Sequence, residues 1–291
     1  MSDKFISWSI FILLCFIWGS SFILMKEGER GLTSSQLASL RIFSASVVLI
    51  PFAIFHFRKV PRKHIPVIFL AGICGNLIPA FLFAIVIAKL GHSALVGILN
   101  ALTPICAVVI GIVLFRDKFE TRKIIGVLVG FGGLCLLTFT QDNVTLDHLG
   151  YASLVVIATI FYGLSPNLVS HYLKGVSSAH ITSISLSLLA VPCFIILWLN
   201  GFFELDFMDP VIQLAVFDTL LLGIVGSAIA TFLFYIMLKK AGVLFSSLVT
   251  YGIPFVAILW GVLDNEPITF REIGCLAIIL SGVYLVQKKA A

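Results

Sequence analysis

Charged side chains are scarce in this sequence. Only 11% of its 291 residues are Asp, Glu, Lys or Arg, whereas 60% are hydrophobic. Soluble domains carry roughly 25% charged residues, and a soluble domain of this length could not bury so much apolar surface. The composition therefore excludes an ordinary water-soluble protein and indicates a chain whose exterior faces lipid.

Motifs for chemistry are also missing from the sequence. The six cysteines lie inside apolar runs without C-x-x-C spacing, and the six histidines form no H-E-x-x-H pair. There is no G-x-S-x-G motif and no P-loop. We therefore predict no enzyme, no metal site and no cofactor. The net charge of +5 does not indicate a nucleic-acid partner, because the basic residues lie in short loops between apolar runs.

Ten apolar runs are present instead. A helix needs about 20 mostly apolar residues to cross the hydrocarbon core, and no run shows the alternation of a membrane β-barrel. We predict an all-α integral membrane protein with ten transmembrane helices. The runs lie near residues 5–25, 33–55, 66–88, 92–115, 124–140, 149–171, 178–199, 211–238, 242–263 and 271–287.

Lysine and arginine are distributed unevenly between the connecting segments. An even number of spans leaves both termini on one side of the membrane, and the segments on that side hold 14 basic residues against 4 on the other. Basic residues concentrate in cytoplasmic loops. The sequence therefore predicts a multi-pass protein of the cell inner (plasma) membrane with both termini in the cytoplasm.

Parts of the sequence recur 151 residues later. The segments Gly72–Gly75 and Phe81–Phe83 match Gly223–Gly226 and Phe232–Phe234, and a weaker match links span one to span six. Because five spans are an odd number, a second copy enters the membrane from the opposite side. We predict two inverted five-helix repeats, residues 1–142 and 143–291. Many secondary transporters form their site between such repeats, near the midplane.

The chain resembles a known family over residues 5–288. The segments that carry the resemblance are Ile17–Phe22, Arg41, Leu102–Pro104, Gly252–Pro254 and Asn265–Pro267 through to Gly274. They resemble the drug/metabolite transporter (DMT) superfamily, in particular its EamA-like ten-helix transporters. The resemblance implies a secondary transporter that exports amino acids or related small metabolites by alternating access. It also implies that spans one, three, four, six, eight and nine line the cavity.

Other functions stay open at this point. One alternative is uptake or exchange of phosphorylated metabolites or nucleotide sugars, which more than one intramembrane Arg or Lys would favour. Another is a membrane-embedded enzyme, which would need His, Glu or Asp clustered within the spans. The expected partners are a small-molecule substrate, the lipid bilayer and, as a candidate coupling ion, a proton. The sequence does not specify an oligomeric state.

Two charged residues lie within predicted spans. Arg41 is about eight residues into span two, where insertion of a charge near the bilayer centre costs roughly 2.5–3.5 kcal/mol. It either faces the cavity and pairs with an anionic substrate group, or extends outward to the membrane surface. Asp218 is either an interfacial residue or a proton-coupling carboxylate.

The candidate substrate-binding residues are the polar and aromatic side chains of the predicted interior. They are Trp18, Ser20, Ser21, Arg41, Asn76, Asn100, Thr103, Tyr162, Asn167, Tyr235, Thr250 and Tyr251. We expect Asn76, Asn100 and Tyr251 to lie deepest, although such residues often only join helices. Pro104 and Pro254 occupy equivalent points of the two halves and each removes a backbone donor, so we predict that they are gating points.

Overall fold

A computed structural model of the chain describes residues 3–90, 99–139, 149–263 and 269–287. These residues are almost entirely helical and contain no strand. The predicted repeat boundary between residues 142 and 143 and the segment Asn265–Pro267 lie outside the described residues.

The helices follow the predicted spans, and we number them α1 to α10 along the chain. The first five are α1 (Asp3–Gly28), α2 (Ser34–Phe57), α3 (Ile65–Gly72, Ile73–Leu77 and Ile78–Leu90), α4 (Thr103–Phe115) and α5 (Thr121–Phe139). The second five are α6 (Leu149–Tyr172), α7 (Ser178–Ser187 and Ala190–Leu199), α8 (Pro210–Gly223, Ile224–Ile229 and Ala230–Ser247), α9 (Val249–Leu263) and α10 (Phe270–Gln287). Short 3₁₀ turns, Arg62–His64 and Phe202–Glu204, precede α3 and follow α7.

Many of these helices are long and apolar enough to cross a membrane. Among the described residues six stretches meet both criteria: Asp3–Gly28, Ser34–Phe57, Arg62–Lys89, Ser153–Tyr172, Ser178–Leu199 and Pro210–Ser247. Shorter apolar helices are Thr103–Phe115, Val249–Trp260 and Ile273–Val286. An all-helical bundle of this kind suits a bilayer, because each helix satisfies its backbone hydrogen bonds internally.

Local sequence signals fix several helix boundaries. Thr33 starts α2 with a capping box, in which its hydroxyl accepts from the Gln36 amide at 3.3 Å and the Gln36 side chain accepts from the Thr33 amide at 2.9 Å. Ser177 starts α7 by accepting from the His180 amide at 3.3 Å. Gly242 interrupts the segment Ala230–Ser247 with φ 84° and ψ 170°, a conformation that glycine adopts readily. Residues 243–247, at the end of α8, therefore belong to the ninth predicted span, 242–263.

The bundle is apolar outside and partly polar inside. Large apolar side chains such as Phe55 and Val113 are 70% and 68% exposed, as expected for surfaces that face lipid. Serines lie in the interior and donate to backbone carbonyls. The fully buried Ser46, for example, donates to Ile42 at 2.7 Å and to Leu186 of α7 at 2.6 Å. Such bonds join helices in membranes, where no hydrophobic force between them is available.

Packing between the two halves follows a regular pattern. Helix α1 packs on α8 and α9, and α6 correspondingly packs on α3 and α4. Helices α2 and α7 pack on each other, while α2 also contacts α8 and α7 also contacts α3. Helix α5 packs on α10, where a Cβ added to Gly282 would lie 2.5 Å from the carbonyl oxygen of Gly126. Each of these contacts has a counterpart in which the halves are exchanged.

Candidate functional site

A cavity with a free volume of about 120 Å³ lies between α1, α2, α3, α4, α6, α8 and α9. Its described lining combines aromatic rings, hydroxyl groups and two amides with a single charged residue, Arg41. The lining residues are Trp18, Ser21, Phe22, Met25, Arg41, Gly75, Asn76, Phe83, Asn100, Thr103, Tyr162, Ser165, Pro166, Gly226, Thr231, Phe234, Tyr235, Ser246, Ser247, Thr250 and Ile253. Mostly apolar walls with a few polar groups are typical of small-molecule sites.

Arg41 reaches the cavity from α2 and is half-buried there. Its Nε donates to the Ser227 hydroxyl of α8 at 2.8 Å, and Tyr162 lies close enough to interact with it electrostatically. Within the part of the chain that the structure describes, no carboxylate forms an ion pair with Arg41. The guanidinium group is thus an uncompensated positive charge at the wall of the cavity.

Two π-helical turns lie beside the cavity, at Ile73–Leu77 in α3 and Ile224–Ile229 in α8. They begin 151 residues apart, at positions 73 and 224. Each turn carries a polar residue that bonds to the other half of the chain. Asn76 Oδ1 accepts from Thr231 at 3.0 Å, and Ser227 accepts from Arg41. Such turns often occur at functional sites.

The chain is also interrupted on the cavity side of α4 and of α9. Turn residues 101 and 102 precede α4, and a turn at residue 248 precedes α9. Pro104 has no N–H, so the Asn100 carbonyl loses its helical donor, and the Thr103 hydroxyl donates to that carbonyl at 2.7 Å. The Thr250 hydroxyl similarly donates to the Ser247 carbonyl at 3.0 Å. Broken helices of this kind surround the sites of many transporters.

The structure brings nine of the twelve predicted substrate-binding residues together in the cavity lining. They are Trp18, Ser21, Arg41, Asn76, Asn100, Thr103, Tyr162, Tyr235 and Thr250. All six spans expected to line the cavity contribute to it, and α2 contributes through Arg41. Trp18 and Gly226 additionally link the halves, since the indole N–H donates to the Gly226 carbonyl at 3.0 Å.

Three predicted site residues lie outside the cavity lining. Ser20 accepts from the indole N–H of Trp260 at 3.0 Å. Asn167 joins α6 to α4, because its amide donates to the Ala107 carbonyl at 3.0 Å. Tyr251 is fully buried against α5, where its hydroxyl donates to the Val127 carbonyl at 2.9 Å. These contacts are ones that hold helices together.

Pro104, Pro254 and Asp218 also lie outside the cavity lining. Pro104 is the second residue of α4 rather than a mid-helix residue, whereas Pro254 lies inside α9. Asp218 is 8% exposed in α8, near Glu27 at the end of α1. It is thus buried between protein helices, and no described residue donates a hydrogen bond to it.

Several lining residues were not predicted, and the internal repeat contained the signal for some of them. Ser165 follows Tyr162 by three positions, as Ser21 follows Trp18. Phe83 and Phe234 are 151 positions apart, as are Gly75 and Gly226. The signal was usable for these residues because a cavity between related halves is lined by corresponding positions. Ile253 precedes Pro254 as Thr103 precedes Pro104, whereas Ser246 has no such signal.

The sequence profile of the EamA-like transporter family matches this chain twice, over residues 6–139 and 149–287. The chain belongs to the EamA-like transporter family. It is therefore a multi-pass membrane protein with ten helices, of a family of transporters rather than of enzymes.

Individual relatives are similar along most of their length. An "Uncharacterized transporter" of Archaeoglobus fulgidus is 24% identical over 293 residues, which cover 97% of this chain and 99% of the relative. "Uncharacterized transporter YetK" of Bacillus subtilis is 25% identical over 294 residues, which cover 94% of this chain and 84% of the relative. A solved crystal structure superposes with a TM-score of 0.70 at 18% identity, covering 98% of this chain and 97% of that one. This last similarity concerns the fold alone.

Proposed function

We propose that this family member is a secondary transporter that exports amino acids or related small metabolites across the cell inner membrane by alternating access. The observation that carries the proposal is the cavity between the halves, with Arg41 at its wall as a cation that no described carboxylate pairs with. A charge in such a place is expensive unless a partner offsets it. An anionic group on the substrate, such as a carboxylate, is the partner that the cavity lacks.

The size of the cavity favours small substrates over the alternative of nucleotide sugars. The free volume is about 120 Å³, whereas a single water needs roughly 10–15 Å³ of such space, so a small solute fits. A nucleotide sugar is several times larger than an amino acid, and its two phosphates would call for more cations than Arg41.

The pattern of contacts supports two inverted repeats, 1–142 and 143–291, as the moving parts. The family profile matches each half separately, the π turns are 151 positions apart, and the packing contacts recur with the halves exchanged. Halves related in this way can rock about a central site and expose it alternately to the two sides. The predicted cytoplasmic location of both termini rests on the charge distribution between the loops.

Transport in proteoliposomes tests this function. A panel of radiolabelled amino acids is assayed with and without a pH gradient, and a transported amino acid is compared with its amide. We expect Arg41→Gln to slow transport of the acid about tenfold to hundredfold, because a hydrogen bond to a charged group contributes roughly 1.5–3 kcal/mol. Transport of the amide should change little. Arg41→Lys should recover only part of the lost transport rate, since an ammonium group lacks the planar fork of a guanidinium group.

Arg30→Gln is the matched control, because Arg30 is paired with Glu27 at a distance of 2.7 Å outside the cavity. Equal losses for acid and amide in Arg41→Gln, at matched protein levels, would make Arg41 a structural residue. Stimulation by an opposing proton gradient is the result expected for proton coupling. An absence of transport for the whole panel would overturn the proposed substrate class.

A further inference from the structure

A histidine and an aspartate join the two halves of the chain at one end of the bundle. His171 lies in the last turn of α6, and Asp117 is the second residue after α4. Nε2 of His171 lies 2.9 Å from Oδ1 of Asp117, and the two side chains are 24% and 31% exposed. The sequence predicts that this end faces the cytoplasm, because the loop that contains Asp117 is rich in lysine and arginine.

The contacts of His171 determine how many protons the pair must hold. Its Nδ1 lies 2.9 Å from the carbonyl oxygen of Asn167, which can only accept, so Nδ1 carries a proton and donates it. An ionised carboxylate also only accepts. The contact between Nε2 and Asp117 therefore needs a second proton, on either the ring or the carboxyl group. Without this proton, two acceptors would face each other at 2.9 Å.

The turn at the end of α4 holds Asp117 in place. Arg116 has the left-handed conformation, with φ 57° and ψ 32°, at a position where glycine is usual. The Arg116 amide donates to the Ile112 carbonyl at 3.1 Å, and the Asp117 amide donates to the Gly111 carbonyl at 2.9 Å, which is the Schellman arrangement. A Cβ added to Gly111 would lie 3.1 Å from Oδ2 of Asp117. The carboxylate is thus folded back against a residue that has no side chain, beside His171.

The other helices around His171 contribute few charged groups. The ring of Phe115 stacks on the imidazole, with the centroids 4.3 Å apart. Helix α3 contributes apolar side chains such as Ile68. Helix α8 contributes Lys239, whose ammonium group donates to backbone carbonyls just after α6. Of these residues and Asp117, histidine is the type whose charge ordinarily changes between pH 5 and pH 8.

The pair connects two helices that both line the cavity. Helix α4 contributes Thr103 to the lining, and α6 contributes Tyr162 and Ser165. In alternating access, the cavity opens to one side when the ends of the surrounding helices separate on that side. A bond between the cytoplasmic ends of α4 and α6 therefore holds that side closed.

We propose that His171 and Asp117 form a proton-dependent gate, which holds the cytoplasmic side of the cavity closed while the pair keeps its second proton and releases it when that proton is lost. Cytoplasmic pH then sets the fraction of molecules that open inward. This inference rests on the alternating access of the proposed function, but it requires no particular substrate.

Spin labels can measure the separation of α4 and α6 without any substrate. The labels are attached to Lys118→Cys and Lys174→Cys, two exposed positions, in the full-length protein in lipid nanodiscs. Pulsed EPR at pH 5 and pH 8 gives the distance between them, and protein without introduced cysteines gives the background. We expect a longer distance to become populated at pH 8, with the ratio of closed to open molecules falling about tenfold, as loss of a hydrogen bond to a charged group predicts.

Two substitutions distinguish a gate from a merely structural contact. In Asp117→Asn the new amide donates to Nε2 while Nδ1 still donates to Asn167, so the bond needs no second proton. This variant should keep the short distance at both pH values. In His171→Phe the ring can still stack on Phe115, but the bond is gone. The longer distance should then be populated at both pH values.

His64→Phe is the matched control, because His64 is a half-buried histidine just before α3, outside this contact. It should keep the pH response of the wild type. Equal distances at pH 5 and pH 8 in the wild type would overturn the gate, and so would a pH response that Asp117→Asn retains. Asp117→Asn is isosteric, so it decides the matter even if His171→Phe does not fold. A working gate in a protein that transports none of the amino-acid panel would contradict the proposed substrate class alone.

Discussion

At the scale of single residues, polar side chains in this membrane protein fall into two groups. One group hydrogen-bonds within or between helices, as Asn167 does with the Ala107 carbonyl. The other lines the cavity, as Asn100 does. Residue type does not separate the groups, since both contain asparagine. What separates them is their place in the fold, which the residue type alone does not give.

Residue type alone also does not show which side chains line the cavity, and this explains which site residues could be predicted. Thr250 and Tyr251 are neighbours in the sequence, yet Thr250 lines the cavity and Tyr251 is buried against α5. Successive residues of a helix point about 100° apart, and the apolar character of α9 on all sides leaves no amphipathic face to orient it. Residues repeated in both halves, such as Phe83 and Phe234, were predictable in principle because the repeat supplies the missing orientation.

Glu29 gives a residue-scale prediction about pH. It lies in the turn between α1 and α2, where burial raises its pKa to about 7 and no described residue donates to its Oε1. The folded protein therefore binds more protons than the unfolded chain between pH 4.5 and 7, so stability should fall as pH rises through that window. Glu29→Gln should flatten this dependence, measured as apparent melting temperature in detergent at pH 5 and pH 8.

Glu204→Gln serves as the reference variant, because Glu204 is an exposed carboxylate in a turn. The apparent melting temperature of this variant should differ between pH 5 and pH 8 by as much as that of the wild type. A Glu29→Gln protein with the same pH difference as the wild type would show that Glu29 ionises freely in the folded state.

At the scale of helices, close packing depends on a few glycines. A Cβ at Gly223 in α8 would collide with the Arg41 carbonyl and the Ser44 hydroxyl of α2. We expect Gly223→Ala to lower the free energy of unfolding by about 1–3 kcal/mol, as overpacking does, and to reduce transport because α2 carries Arg41. Gly132→Ala in α5 is the control, since no described atom lies within 4 Å of its added Cβ. Equal stability of the two variants in detergent would contradict the packing described.

Pro104 and Pro254 give a prediction about motion. Pro104→Ala with Pro254→Ala restores two N–H groups, so both helices can become stiffer. If the two prolines are gating points, the double variant should lose most of its turnover, several-fold or more, with expression and folding nearly intact. Pro51→Ala tests the specificity of this effect, because Pro51 lies inside α2 with an exposed side chain. Unchanged transport in the double variant, or an equal loss in Pro51→Ala, would make the two prolines packing details.

Helix boundaries were largely predictable, because apolar runs and caps are local signals. The start of α2 at Ser34 follows from the capping box of Thr33 and Gln36. The π turns were not predictable in this way, since each carries one polar residue, Asn76 or Ser227, and such residues also occur in regular membrane helices. Their geometry arises from packing across the cavity, which a local sequence window does not contain.

At the scale of the whole molecule, the orientation in the membrane is the most direct prediction. A reporter that is active only in the periplasm should be active when fused after Gln141 or Leu205. It should be inactive after Arg62, Lys118 or Lys289, because those segments belong to the side that holds 14 of the basic loop residues. Activity after Lys118 would contradict the inverted arrangement of the halves, since that loop then lies on the wrong side.

The paired π turns also have a consequence for the evolution of the chain. A π turn holds one residue more than an α turn, so each marks an extra residue within an otherwise regular helix. The two extra residues lie at matching places, positions 73–77 and 224–229, in halves that match the same family profile. Separate origins would require the same insertion to have been fixed twice, at one place and in one kind of helix. A single insertion suffices if it was already present in a five-helix ancestor whose gene later doubled. The π turn is then older than the ten-helix chain that carries it.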